Sequence, residues 1–293
     1  MTPTRAVGVM CLTMLIWPVV ELLARFLSRP YSPFEIVWMR YGTHLLLMLV
    51  LWAPGGPGRL VRTRRPGLHV ARGLMMLGMP AFFIFSIGRL SLDSIMSLFW
   101  IAPLLAMLLG ALMLGERVGG RQWIVVTIAW LGVLVMLGPF ALTRSRAGIL
   151  PLLMAGCFAL YLVLTRYMRD ETAASRLFYT ALVVWVSLSP FVPLFWKTPT
   201  LRDLAIMMSI GILGFVFLLG LDHALDAAPV SRLAPFTLAQ PIWTVAIDAG
   251  LRGHPLARHA IVGIVVLLGA WFLLLWLGRA PALNLGRAPA GDR

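Results

Sequence analysis

The hydrophobic positions of this 293-residue chain fall in long runs, and the polar positions gather in short segments between them. A run of about 20 apolar residues coiled as a helix crosses the ~30 Å hydrocarbon core of a bilayer. The pattern predicts such spans near Ala6–Leu27, Pro33–Trp52, His69–Leu90, Ser94–Gly115 and Gln122–Leu137, and again near Gly148–Thr165, Ala174–Phe195, Asp203–Leu225, Val230–Leu251 and Arg258–Leu277. The period-two alternation of a transmembrane β-barrel is missing. The expected fold is therefore an all-α integral membrane protein of ten transmembrane helices. Connections such as Ala53-Pro54-Gly55-Gly56-Pro57-Gly58 and Lys197-Thr198-Pro199-Thr200 are short and rich in breakers, which leaves no room for an extramembrane domain. The stretch 279–293, made largely of Ala, Pro, Gly and Arg, reads as a disordered cytoplasmic tail.

The chain also repeats itself. A shift of 138 positions carries Pro103 onto Pro241, Ala111 onto Ala249 and Gly115 onto Gly253; after one deletion, a shift of 137 carries Ile124-Val125 onto Ile261-Val262 and Leu131-Gly132 onto Leu268-Gly269. This predicts one five-helix repeat over 1–140 and a second over 148–278. An odd number of crossings makes the second copy enter from the opposite side, so the repeats are expected to be inverted, as in carriers that work by alternating access.

Composition agrees with the membrane reading: 60% of residues are hydrophobic and only 12% charged, about half the charged share of a soluble domain. The net charge of +14 raises nucleic acid as a partner, but the arginines punctuate the spans and form no basic stripe with interleaved aromatics. They serve instead as topology signals and contacts for anionic membrane lipid. With both termini inside, 15 of the 25 basic residues lie on the cytoplasmic side, which predicts cytoplasmic termini in a bacterial inner membrane. Cys11 and Cys157 both fall within apolar spans and suggest no disulfide. The first run continues past any small-residue cleavage site and reads as an uncleaved span.

Several residues together resemble a known family. They are Trp17, Arg40 after Ser32-Pro33-Phe34-Glu35, the run Ile101-Ala102-Pro103-Leu104, the corner Leu114-Gly115-Glu116-Arg117 with Gly132 beyond it, and in the second copy Ala239-Gln240-Pro241-Ile242-Trp243 with Gly263. On these residues the chain resembles the EamA-like ten-helix carriers of the drug/metabolite transporter superfamily over nearly its whole length. It departs from them at Pro18, where Gly often follows the tryptophan, and at the second corner, Arg252-Gly253-His254-Pro255. The resemblance implies a solute cavity lined chiefly by helices one, three, four, six, eight and nine. It also favours export over uptake, since the group is rich in exporters.

A charge near the middle of a membrane helix costs about 2.5 to 3.5 kcal/mol on insertion scales, so each needs a partner or a wet cavity. Glu21 stands one turn before Arg25, and the pair reads either as mutual neutralisation or as a site for protons or a cationic solute. Arg40 reads either as a packing residue paired with Glu21 or Glu35, or as an anchor for a carboxylate or phosphate. Asp248 is matched in the repeat by the uncharged Gly110, which makes it a candidate site residue, although Arg252 lies at i+4. Pro103 and Pro241 are expected to kink their helices and free backbone acceptors, with the Gln240 amide beside the second. Trp17, Trp100, Tyr161 and Trp243 are candidates for an aromatic lining. Glu116 is expected to favour the start of the fifth helix and to pair with Arg117 or Arg121. Asp222, His223 and Asp226 form a local acidic cluster, read as capping with pairing to Arg232.

Phosphate loops and the motifs of metalloproteases and serine hydrolases are missing, so the chain is not expected to be an enzyme, and neither cofactor nor metal is implied. The expected function is secondary transport of a small-molecule solute, by export coupled to protons or by exchange. The alternatives are uptake of a vitamin-like, nucleoside-like or S-adenosylmethionine-like compound, and a non-transporting scaffold or receptor.

Overall fold

The structure, a computed structural model, describes residues 2–52, 56, 58–137, 146–252 and 256–277. The expected disordered tail over 279–293 and the corner Gly253-His254-Pro255 lie outside them. Helix α1 spans Pro3–Leu27, α2 Pro33–Trp52, α3 Pro66–Ser86, α4 Leu92–Phe99 and Ala102–Leu114, and α5 Gly120–Leu137. In the second half, α6 spans Ile149–Tyr167, α7 Ala173–Leu188 and α8 Leu201–Ala227. Helix α9 runs through Val230–Leu233, Ala234–Leu238 and Ala239–Arg252, and α10 spans Arg258–Leu277. No strand occurs among the described residues, and nine helices among them are long and apolar enough to cross a membrane.

Hydroxyl caps set the starts of several helices. The Thr2 side chain accepts from Arg5 N, that of Thr172 from Ser175 N and that of Thr200 from Asp203 N, each satisfying a backbone donor that the first helical turn leaves over. The bounds follow the hydrophobic runs closely, except that α3 begins three residues earlier than expected and ends at Ser86.

Three spans are not continuous α-helices, and one of them is the seventh, which passes after Leu188 through the 3-10 turn Ser189–Phe191 to Val192–Phe195. Helix α4 breaks at Trp100–Ile101, and α9 passes through the 3-10 stretch Ala234–Leu238 before its longer segment begins at Ala239. The sequence places Pro103 and Pro241 inside kinked helices. The structure instead puts them in the first turns of Ala102–Leu114 and Ala239–Arg252, where a missing N–H costs little. The breaks lie just upstream of the prolines, at corresponding points of the two copies.

The packing is symmetric under exchange of the halves. Helix α1 packs on α8 as α6 packs on α3, α2 on α8 as α7 on α3, and α4 on α6 as α9 on α1, while α2 meets α7 and α5 meets α10. The halves therefore interleave. Helices α1, α2, α3, α6, α7 and α8 form one group, and α4, α5, α9 and α10 a second, joined along α1–α9 and α4–α6. Matched glycines let the first group close. A Cβ on Gly211 would overlap Thr43 of α2, and one on Gly73 would overlap Val183 of α7. Lipid tails are as apolar as the helices, so close backbone approach at such small residues supplies much of the association energy.

This geometry predicts that Gly211→Ala lowers stability by about 1–3 kcal/mol through overpacking. Gly156→Ala, with no neighbour within 4 Å of its new methyl, is expected to be neutral or stabilising. Thermal unfolding of the two purified variants checks the contrast.

Candidate functional site

Helices α1 and α9, which come from different halves, face each other across a polar seam. Near one end of it, Arg25 Nη1 lies 3.8 Å from Asp248 Oδ1, with side-chain exposures of 53% and 42%. A narrow cleft opens there, lined by Pro18, Glu21 and Arg25 of α1 and by Thr244 and Asp248 of α9. Toward the middle of the span, Trp243 Nε1 donates to Cys11 O at 3.1 Å, tying the longer segment of α9 to α1 just after its break. Asp248 of the second half thus meets Arg25 of the first across the seam.

Arg40 lies behind this seam. Its guanidinium carbon sits 4.8 Å from the Trp17 ring centre and 4.9 Å from that of Tyr41, and its stem crosses α8 where Gly214 has no side chain. Among the described residues Arg40 has no ion pair with Glu21, with Glu35 or with any other carboxylate, so the packing alternative that pairs it with either does not hold. It is buried, and its Nη2 has no hydrogen-bond partner. The hydroxyl of Tyr41 and Nε2 of His44 on the same helix are likewise buried without partners. Aromatic faces thus hold a cation in place while part of its donor fork remains open.

A second polar assembly fills the space among α3, α6, α7 and α8. Arg72 is fully buried and donates through Nε to Thr165 Oγ1 (2.8 Å), through Nη1 to Thr180 Oγ1 (2.6 Å) and Arg176 O (2.7 Å), and through Nη2 to Tyr161 OH (2.6 Å) and Asp222 Oδ1. Arg176, also fully buried, donates through Nε to Asp222 Oδ2 (3.0 Å), through Nη2 to Asp226 Oδ2 (2.6 Å) and through Nη1 to Met168 O (3.0 Å). Two cations meet two carboxylates, so the assembly is neutral. Asp222 and Asp226 therefore pair with Arg72 and Arg176, not with Arg232 as the local spacing suggests.

The remaining expected site residues do not share one lining. Trp17 packs against Phe217 at 5.1 Å, Trp100 against Phe99 at 4.9 Å, and Tyr161 is held by Arg72. Pro103, Gln240 and Pro241 are buried at the breaks. Glu116 does not serve the start of α5: its two oxygens accept from Val230 N (2.9 Å) and Ser231 N (2.7 Å), capping α9 in the other half. Sequence reasoning passed over Arg72, Arg176, Tyr41 and His44. The two arginines read as cytoplasmic topology signals, yet both lie a full turn or more inside apolar helices, and that depth was the available signal.

Replacing Asp222 by Ala leaves both arginines without their shared carboxylate. The expected loss is about 3–5 kcal/mol, as for other broken buried pairs, seen as a large fall in Tm of the purified protein. Asp248→Asn, at a half-exposed pair, is expected to change Tm little.

Residues 4–138 match the EamA-like transporter family. The S-adenosylmethionine uptake transporter of Rickettsia bellii (strain RML369-C) is 25% identical over 259 residues, covering 87% of this chain and 88% of its own. The riboflavin transporter of Brucella anthropi is 26% identical over 247 residues, covering 84% and 83%. A solved crystal structure 15% identical in sequence superposes with a TM-score of 0.82 over 94% of this chain and 98% of its own, which shows a shared fold. These relatives are transporters and not enzymes. With nine helices among the described residues long and apolar enough to cross a membrane, and with relatives named as transporters aligned along most of its length, the chain is a membrane transporter whose first half is EamA-like.

Proposed function

We propose that this transporter takes up a planar, nucleoside-like or vitamin-like metabolite by alternating access, with both termini in the cytoplasm of a bacterial inner membrane. The observation that carries the reading is the α1–α9 seam. It joins two halves, it holds Glu21, Arg25 and Asp248 in one cleft, and one of its walls is a helix already broken before Ala239. A broken helix supplies both freed backbone groups and a place to bend. Repeats over 1–140 and 148–278, inverted by their five crossings each, account for the symmetric packing.

Uptake replaces the export expected from the sequence because the S-adenosylmethionine relative is named an uptake transporter and the riboflavin relative carries a vitamin. Both named solutes contain a planar heterocycle, which suits the rings of Trp17 and Trp243 on either side of the seam. Arg40, with an open donor on a buried guanidinium, supplies an anchor for a carboxylate, such as that of an amino-acid moiety. Glu21 and Asp248 are the carboxylates placed to exchange a proton as the Arg25 contact opens and closes. Protons are then the coupling ion.

Reconstituted vesicles test this directly. Radiolabelled S-adenosylmethionine and riboflavin, each offered with and without an inwardly directed proton gradient, should reveal gradient-stimulated accumulation of one of them. Glu21→Gln is expected to abolish the stimulation while counterflow persists. Arg40→Gln should cut transport of a carboxylate-bearing solute by about tenfold or more, the value of one charge-assisted hydrogen bond of roughly 1.5–3 kcal/mol, and leave transport of one without a carboxylate largely intact. Flux of neither compound, together with exchange that ignores pH, would contradict the reading.

A further inference from the structure

At the end of the bundle where α4 and α6 finish and α9 begins, a cavity of about 380 Å³ is lined by Arg65, Arg166, Tyr167, Arg169, Asp170 and Glu116, with Met113, Leu114 and Pro229 completing the wall. It is separate from the α1–α9 cleft and shares no residue with it. Three arginines in this cavity face two carboxylates. Both oxygens of Glu116 are engaged by the backbone N–H groups of Val230 and Ser231, so that carboxylate is directed at the start of α9. Arg166 is fixed through Nη1 to the last carbonyls of α8, Leu225 O at 2.7 Å and Asp226 O at 2.8 Å. Arg65 lies over the Tyr167 ring at 5.3 Å. Three guanidiniums therefore gather at one mouth, two of them placed by contacts that do not neutralise them, and Asp170 is the one carboxylate there not engaged in capping.

The apolar flank identifies the kind of anion. Met113 of α4 and Tyr167 at the end of α6, both in the cavity wall, are exposed at 48% and 47%, and Leu114 and Pro229 continue the apolar wall beside them. A soluble phosphate has no use for such a wall. A phospholipid needs a basic pocket at the level of the helix ends and an apolar track below it.

We propose that this cavity is a binding site for an anionic phospholipid, with the phosphodiester held by Arg65, Arg166 and Arg169 and the start of an acyl chain lying against Met113 and the Tyr167 ring. Asp170 then accepts a hydrogen bond from a headgroup hydroxyl, which favours a glycerol headgroup over choline. The site stands on geometry alone and does not depend on which solute is carried.

Native mass spectrometry of the detergent-purified protein, titrated with phosphatidylglycerol or phosphatidylcholine, tests the proposal. The expected result is at least about tenfold preferential retention of phosphatidylglycerol, lost in the Arg65→Gln/Arg169→Gln double variant. Both side chains are exposed, and unfolding of the lipid-free variant at the wild-type temperature shows that its fold is intact. A second arm adds inorganic phosphate and soluble glycerol phosphate at millimolar concentration. If either displaces the phosphatidylglycerol, the site is for a free phosphate and the proposal fails. Equal retention of the two lipids, or retention of phosphatidylglycerol undiminished in the double variant, also overturns it. Should Arg65→Gln/Arg169→Gln not fold, Met113→Gln, which removes only the apolar wall, takes its place with the same expected loss.

Discussion

Asp222 shared between Arg72 and Arg176 is the contact on which the rest of this bundle depends. In hydrocarbon neither arginine is tolerable alone, and with Asp226 the set becomes neutral while its donors reach hydroxyls and carbonyls of α6 and α7. The network fastens α3, a helix of the first half, to α6, α7 and α8 of the second. That attachment explains why the halves interleave and do not stand side by side. It also explains why Gly73 must stay bare where α3 meets α7.

The seam between α1 and α9 is held very differently. Its one ion pair is long and half exposed, and exposed pairs contribute little. One of its walls, α9, is interrupted, and its start is capped by Glu116 from the opposite half. A carrier needs one interface that persists and another that yields, because only an element with two arrangements of similar energy can switch. In the alternating access proposed above, the buried network and the α1–α9 seam would divide those tasks. The rigid unit is then not a sequence half but the group containing α2, α3, α7 and α8.

The helices were legible in the sequence because a bilayer demands long apolar runs, and Pro103 and Pro241 mark two of the spans that are interrupted. Glu21, Asp248 and Arg40 could be singled out because a charge in such a run is conspicuous. Contacts between spans could not be found in the same way: spacing along one helix offers only i+4 neighbours, whereas the structure brings Arg25 of α1 to Asp248 of α9. Arg72 and Arg176 escaped notice for the converse reason. Lying near the inner ends of their helices, they looked like ordinary topology signals, and only the arrival of Asp222 from α8 gives them a buried role. Tyr161 stands out as an aromatic, and the fold uses both its hydroxyl and its ring, each against Arg72.

The most direct test of this division is a distance measurement. Spin labels at Phe26→Cys of α1 and Leu251→Cys of α9, both exposed positions beside the seam, with Cys11 and Cys157 replaced by Ala, report its width by pulsed electron resonance in lipid nanodiscs. A second labelled pair across α3 and α7, at Val70→Cys and Val186→Cys, reports the pinned interface. The account predicts two distances across α1–α9 whose populations shift with solute or pH, and one unchanging distance across α3–α7. A single fixed distance at the seam, or movement between α3 and α7 instead, would contradict it.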